Sequence, residues 1–487
     1  MQNHISQILE QAIAAHKAGD LSNAEILYKQ IIDLDPSNTC ALHYLSVIFI
    51  NIDRAEEAIP LLENAAINQA SNPDLLYNLA LAYQKIENIP EAIHYYKLVL
   101  ALKPDFAMAN NNIGVAYQHM GNLDVANMYL KKAFSIDPGC IEAYYNFAQS
   151  HHFTKSDQAL IEEIELILSN ATNNERDQIK LNFVLGKIYD NLKDYDTAFK
   201  YYSMANELKF HGFNMKAFSK YIDNVIQEYT HDKIKELEIP EQTNDLEFVF
   251  VVGMPRSSTT LVNQILSSHS NIQSVGENGF IGDIVDDLSE LIHSDKTYPA
   301  CLEDLRHETV ANLTEKIRSL IQSMGLGTSI IVDKSPINFL HIGLILILFP
   351  NSKIVNCNRD PIDTCLSCFF QNFDKQHQYS YNLKSLAEFY NQYSRLMAHW
   401  RDLFSDRIFE LRYESLVENQ EETSKELIQY CELPWEDSCL SFYKSDTTVS
   451  TASKWQVRRP IYKTSIKKWK HYEPYIEELI NNLKMEF

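Results

Sequence analysis

Alanine recurs every 34 residues in the first part of the chain, at Ala24, Ala58, Ala92 and Ala126. Gly19, Asp53, Glu87 and Gly121 keep the same step, as do Pro36, Pro104 and Pro138, with Ala70 standing in the remaining unit. A fixed period of this size means that each unit is one supersecondary element that buries its apolar face only by stacking on the next. Position seven of each unit is Gln11, Leu45, Leu79 or Ile113, and the next is Ala12, Ser46, Ala80 or Gly114. Small residues there let two antiparallel helices approach, large apolar ones fill the gap, and the Pro ends the second helix. Units run 5–38, 39–72, 73–106 and 107–140; a fifth, 141–178, is degenerate and about four residues longer. A sixth, from 179, recovers the pattern in "LGKIYDNLKDYDTAFKYYSMANEL", with Ala198 in register.

These units resemble the tetratricopeptide repeat, which implies an all-α solenoid over 1–213 with a concave surface for a protein or peptide partner. Tyr28, Tyr95, Tyr96 and Tyr117 read as packing between stacked helices rather than as ligand contacts. The formal charge of -22 argues against a nucleic-acid or anionic-membrane partner, since both need a basic face. The longest apolar run, "FLHIGLILILF" at 339–349, is short of the roughly 18 to 20 residues of a membrane span and reads as a buried helix. The N-terminus lacks the charged start and apolar core of a signal peptide. Eight cysteines without framework spacing suit a reducing cytoplasm, and the lone Cys365/Cys368 pair lacks the second pair a zinc site needs. No metal site is expected.

After a helical connector and polar linker, 214–245, the pattern changes. "EFVFVV", "SIIVD", "SKIVNCN" and "RIFELR" are short apolar runs separated by helical segments, the mark of a parallel sheet covered on both faces. The expected fold over 246–487 is a three-layer α/β domain. "GMPRSSTT", 253–260, joins the first of these strands to a helix. Against the nucleotide-binding pattern GxxxxGK[ST] it keeps Gly253, but has Ser258 for the second Gly and Thr259 for the Lys, so an ordinary ATPase or kinase is not expected. What remains is Arg256 and four hydroxyls, Ser257, Ser258, Thr259 and Thr260, beside the free amides of a helix N-terminus, which is an anion site. A second candidate is Arg359, which closes "SKIVNCN" ahead of a helix begun by Asp360 and Pro361, with Ser367 two turns on. Alone, Arg359 and Ser367 fit a phosphate grip and an ordinary ion pair with a packed serine equally well.

Together, "GMPRSSTTLVNQILSSHSNI" and "NRDPIDTCLSCFF" resemble the 5′-phosphosulfate loop and 3′-phosphate motif of sulfotransferases, most nearly the protein-tyrosine sulfotransferase branch. The resemblance covers about 246–470 and implies 3′-phosphoadenosine 5′-phosphosulfate as co-substrate, with no metal. It implies Glu277, in "SVGEN", as catalytic base, Lys334 and Arg256 as stabilisers of charge at the leaving phosphate, and Ser453 as a further catalytic contact. Arg256, Ser257, Ser258, Thr259, Thr260, Arg359, Ser367, Tyr413 and Lys468 would bind the donor. Outside the resemblance, Glu277 reads as a surface carboxylate or helix cap, and His269 is a rival base that reads more simply as structural. Two departures stand out: Ser258 replaces a loop Gly, which costs of order 1 kcal/mol if that residue needs positive φ, and Gln371 replaces a donor-binding Arg. The expected function is sulfuryl transfer to a hydroxyl, tyrosine or another, on a protein or peptide gathered by the repeats. The rival is a repeat scaffold whose sulfotransferase-like domain no longer catalyses.

Overall fold

The computed structural model describes residues 2–171, 174–236, 247–326, 330–373, 375–444 and 456–484. The chain divides into two compact units, Met1–Glu162 and Glu163–Phe487.

Five helical hairpins, those of units one to four and six, follow the repeat. They are α1 Gln2–Lys17 with α2 Leu21–Leu34, α3 Thr39–Asn51 with α4 Ala55–Asn68, and α5 Pro73–Lys85 with α6 Ile89–Leu102. Then come α7 Ala107–His119 with α8 Leu123–Ile136, and α11 Glu175–Asn191 with α12 Tyr195–Lys209, while the degenerate fifth unit forms two helices, α9 Ile141–Ser150 and α10 Gln158–Asn170. The periodic alanines are fully buried, Ala198 among them. A Cβ on Gly114 would lie 2.5 Å from Leu130 Cγ, and one on Gly186 2.7 Å from Tyr202 Cδ1, so the small position sets the interhelical distance. The turn position is left-handed in every well-formed unit: φ is 81° at Gly19, 58° at Asp53, 60° at Glu87 and 76° at Gly121, with Lys193 at 63° in the sixth. Tyr28 and Tyr96 are wholly buried, while Tyr95 stacks on Tyr83 and Tyr117 on Tyr129, as packing residues do. The hairpin of the sixth repeat falls within the second compact unit, so the sequence period runs on past the structural division.

In that second unit, α13 (Met215–Glu228) and α14 (His231–Glu236) precede a five-stranded parallel sheet of order β2-β3-β1-β4-β5. The strands are β1 Glu247–Gly253, β2 Ile272–Gly276, β3 Ile330–Asp333, β4 Lys353–Asn358 and β5 Ile408–Arg412. Strand residues alternate between two apolar layers. Val249, Val251, Val332, Val355 and Cys357 share a core with Val262, Ile265 and Leu266 of α15 (Thr259–Ser267). On the other face, Phe248 and Phe250 meet Phe349, and Asn356 accepts a hydrogen bond from Tyr393 of the long helix Leu383–Leu403. The sheet is therefore the middle of three layers. The run 339–349 is buried as expected, but folds as a 3-10 turn, Pro336–His341, leading into a short α-helix, Ile342–Leu348. Among the described residues no helix is long and apolar enough to cross a membrane.

Candidate active site

Each parallel strand hands one candidate residue or loop to the same edge of the sheet. The phosphate-type loop 254–258 follows β1, Glu277 follows β2, Lys334 follows β3, Arg359 follows β4 and Tyr413 follows β5. The carboxyl edge of such a sheet is where α/β folds bind ligands, at the point where the strand order reverses. Here that point is the end of β1, flanked by β3 and β4.

The loop conformation explains its sequence. Gly253 has φ 144°, and a Cβ there would sit 2.7 Å from the Cys357 carbonyl oxygen on the neighbouring strand, so only glycine fits. Arg256 and Ser258 are both left-handed, at φ 69° and 90°. Ser258 thus occupies the conformation that suits glycine, and its buried hydroxyl has no hydrogen-bond partner among the described residues. It makes no side-chain cap, which leaves the first-turn amides of α15 uncapped by it. Ser257 is buried and donates its hydroxyl to Met254 O at 2.7 Å, while Thr259 and Thr260 are buried in the first turn.

The two motifs converge. Arg256 donates from Nε to Ser367 Oγ at 3.1 Å and from Nη2 to Gln456 Oε1 at 3.1 Å. Ser367 lies on α16, which we take as Pro361–Phe369, the helix capped by Asp360. Arg359 donates to Arg256 O at 3.2 Å and to Ser465 O at 2.8 Å, and its guanidinium lies 5.0 Å from the Tyr413 ring centre. Its buried Nε has no hydrogen-bond partner among the described residues. Burial pulls the Arg256 pKa down and pushes the Tyr413 pKa up. Two guanidiniums held this close, one with an orphaned buried donor, and a glycine cradle with no room for a Cβ form a site that fits an anion.

Across β3, Lys334 is buried and its ammonium bonds to the Glu277 carboxylate, which is 47% exposed. Lys334 N also donates to Gly276 O at 3.0 Å, stitching the ends of β2 and β3 together. Beneath them Asp333 is buried and accepts from Asn278 at 3.1 Å and Asn338 at 3.2 Å. Burial raises the Asp333 carboxyl to about 7 and lowers the Lys334 ammonium pKa, against the pull of Glu277. Asn278, Asn338 and Asp333 were not singled out by the sequence, although Asn278 adjoins Glu277.

The remaining expectations separate. Ser453 lies outside the described residues. Lys468 pairs with Asp190 of α11 at 2.6 Å. His269 is buried; its Nδ1 accepts from Asn271 N at 3.1 Å, so Nε2 donates to Pro434 O at 2.8 Å, the geometry of a structural histidine. Cys365 and Cys368 are buried thiols, the latter pushed up to about 12 by burial and bonded to Pro255 O at 3.2 Å. Among the described residues no cluster of His, Cys, Asp or Glu suits a metal ion.

Residues 249–437 match the model of the sulfotransferase family. This segment is a sulfotransferase domain. Tetratricopeptide-repeat models match 73–106, 108–140 and 179–210, so the chain joins such repeats to a sulfotransferase domain. An uncharacterised protein of Aquifex aeolicus (strain VF5) is 33% identical over 342 residues, covering 68% of this chain and 45% of that protein. The protein-tyrosine sulfotransferase of Drosophila melanogaster is 24% identical, covering 46% of this chain and 47% of the relative. Protein-tyrosine sulfotransferase A of Caenorhabditis elegans is 22% identical over 46% of this chain and 60% of the relative. The chain thus spans about half the length of the curated relatives it matches. Among solved structures, a crystal structure of MamA shares 23% identity at a TM-score of 0.28, covering 40% of this chain and 93% of that one. Pseudomonas aeruginosa PilF shares 16% at 0.35, covering 42% and 92%.

Proposed function

We propose that the sulfotransferase domain transfers a sulfuryl group from 3′-phosphoadenosine 5′-phosphosulfate to a hydroxyl, tyrosine or another, of a protein or peptide held by the repeats. The observation that carries this reading is the contact of Arg256 with Ser367 and of Arg359 with the Arg256 carbonyl, which brings the two sequence motifs into one cationic site. The donor, as substrate, supplies an activated sulfur whose bond to the 5′-phosphate breaks as the acceptor oxygen attacks. The protein supplies position, charge and a base.

In this reading the loop amides, Ser257, Ser258, Thr259 and Thr260 hold the phosphosulfate, while Arg359 and Ser367 hold the 3′-phosphate and Tyr413 adjoins Arg359. Glu277 takes the hydroxyl proton. The Glu277 carboxylate is held by the Lys334 ammonium, so Lys334 must turn from Glu277 toward the negative charge growing on the leaving phosphate for Glu277 to reach the hydroxyl. The pair therefore holds Glu277 until an anion arrives beside Lys334. Ser453 and Lys468 remain proposed donor contacts from the C-terminal segment, and the cytoplasm is the proposed compartment, consistent with eight free cysteines.

The test supplies labelled donor to purified protein with hydroxyl-bearing peptides and follows label in the product. Transfer by the wild type, lost in Glu277→Ala, is the expected result; donor binding without transfer to any acceptor favours the second reading, a scaffold with a degenerate domain. One observation favours that second reading, the left-handed Ser258 in the loop. Absence of donor binding removes the enzyme reading.

A further inference from the structure

Helix α11 belongs to the repeat pattern, yet one of its carboxylates is spent entirely on the sulfotransferase domain. Asp190 is 11% exposed; its Oδ2 pairs with Lys468 Nζ at 2.6 Å and its Oδ1 accepts the Tyr472 hydroxyl. Between these residues and the candidate site runs the segment 463–472. Asp363, in the first turn of α16, accepts from Lys467 N at 2.6 Å and Trp469 N at 2.9 Å. Two residues earlier, the Ser465 carbonyl accepts Arg359 Nη2 at 2.8 Å, and Arg359 in turn holds the Arg256 carbonyl. Lys467 is left-handed, at φ 55°, a conformation that costs a non-glycine residue of order 1 kcal/mol and persists only where the surroundings impose it.

We propose that Asp190 is a positioning residue for the donor site: through Lys468 and Tyr472 it fastens segment 463–472 at the carboxyl edge of the sheet, making the last repeat hairpin a working part of the sulfotransferase unit. The inference rests on the sulfuryl-transfer reading for the identity of the ligand, though not for the anchoring itself. The packing around Asp190 is continuous. Tyr195 stacks on His471 at 4.6 Å, and Tyr202 stacks on Phe370 at 4.1 Å, immediately beyond the helix that carries Ser367. Asn206 donates to Phe369 O at 2.8 Å, and Gly186 leaves room for the Tyr202 ring. One turn before Asp190, Lys187 lies within electrostatic reach of Arg256, Lys468 and Arg459, and burial lowers its pKa to about 7.

The test uses the full chain and two readouts: hydrogen exchange along 463–472, and affinity for adenosine 3′,5′-bisphosphate. Asp190→Ala should raise exchange in 463–472 about tenfold or more, the scale of a lost charge-assisted hydrogen bond, and weaken the bisphosphate by a similar factor. Asp190→Asn, which still accepts from Tyr472, should fall between Asp190→Ala and wild type in both. Where Asp190→Ala also loosens 179–210, Tyr472→Phe removes the other bond to Asp190 while keeping the ring and every proposed donor contact, and it decides the matter. Unchanged exchange in 463–472 overturns the anchoring, and raised exchange with unchanged affinity overturns the link to the site. A wild type that binds no bisphosphate overturns the donor reading instead, while the exchange arm still decides whether Asp190 anchors the segment.

Discussion

Ser258→Gly should stabilise the sulfotransferase domain. Ser258 sits at φ 90° and ψ 9°, where a Cβ costs roughly 1–2 kcal/mol. Glycine removes that cost but gives the unfolded chain more freedom, an opposing effect of about 0.4–1 kcal/mol. The buried Ser258 hydroxyl has no hydrogen-bond partner among the described residues, so its loss subtracts nothing. The net expectation is a gain of about 0.5–1 kcal/mol, read from the urea midpoint of the transition that reports the β-sheet domain. Ser258→Ala is the control, because it removes the hydroxyl and keeps the Cβ; whatever it gains comes from losing a buried hydroxyl without a hydrogen-bond partner, and the further gain of Ser258→Gly over it is the backbone strain. Equal gains for Ser258→Ala and Ser258→Gly, or a loss of more than 0.5 kcal/mol for Ser258→Gly, would refute the argument from backbone strain. If the same strain limits donor binding, Ser258→Gly should also tighten adenosine 3′,5′-bisphosphate.

Three further outcomes are expected. Glu277→Ala should leave bisphosphate affinity within a few-fold of wild type while cutting turnover roughly 100-fold or more, the usual scale for a lost general base; steady-state kinetics with labelled donor decides this. Asp333 is raised by burial to about 7 from 3.8, so the folded state holds its proton more tightly than the unfolded chain. Its contribution to stability is then fully present below pH 3.8 and is lost as pH rises to 7. Asp333→Asn should flatten that decline, measured by urea titrations from pH 4 to 7. Lys187, lowered to about 7, should take up a proton when an anion binds beside it, so bisphosphate binding near pH 8 should show buffer-dependent heats that vanish in Lys187→Gln.

The repeats were legible because spacing alone encodes them: the same position is a buried alanine and the same turn is left-handed, whatever residue occupies it. Four strands of the sheet were legible as apolar runs. Strand β2 is not legible in this way, because in "IQSVG" only Ile272 is buried and an edge strand carries no continuous apolar signal. The loop, Arg359 and Ser367 were readable as local motifs, and the fold brings them together. What the sequence hid are contacts between distant segments. Asp190 lies 278 residues from Lys468, and its place in the repeat gives no sign that it serves another domain. Asp333 reads as the polar end of an apolar strand, and its hydrogen bonds come from Asn278 after β2 and Asn338 in the 3-10 turn after β3. The Glu277–Lys334 pair likewise joins the ends of β2 and β3, neighbours only once the sheet is formed.

The most direct measurement of the central claim is calorimetric titration of the full chain with adenosine 3′,5′-bisphosphate, in the presence of a chelator and beside ATP with magnesium. The account predicts metal-independent binding of the bisphosphate, preferred over ATP, and weakened at least tenfold by Arg359→Ala through loss of a charged phosphate contact. No binding, or binding that Arg359→Ala leaves unchanged, would contradict it.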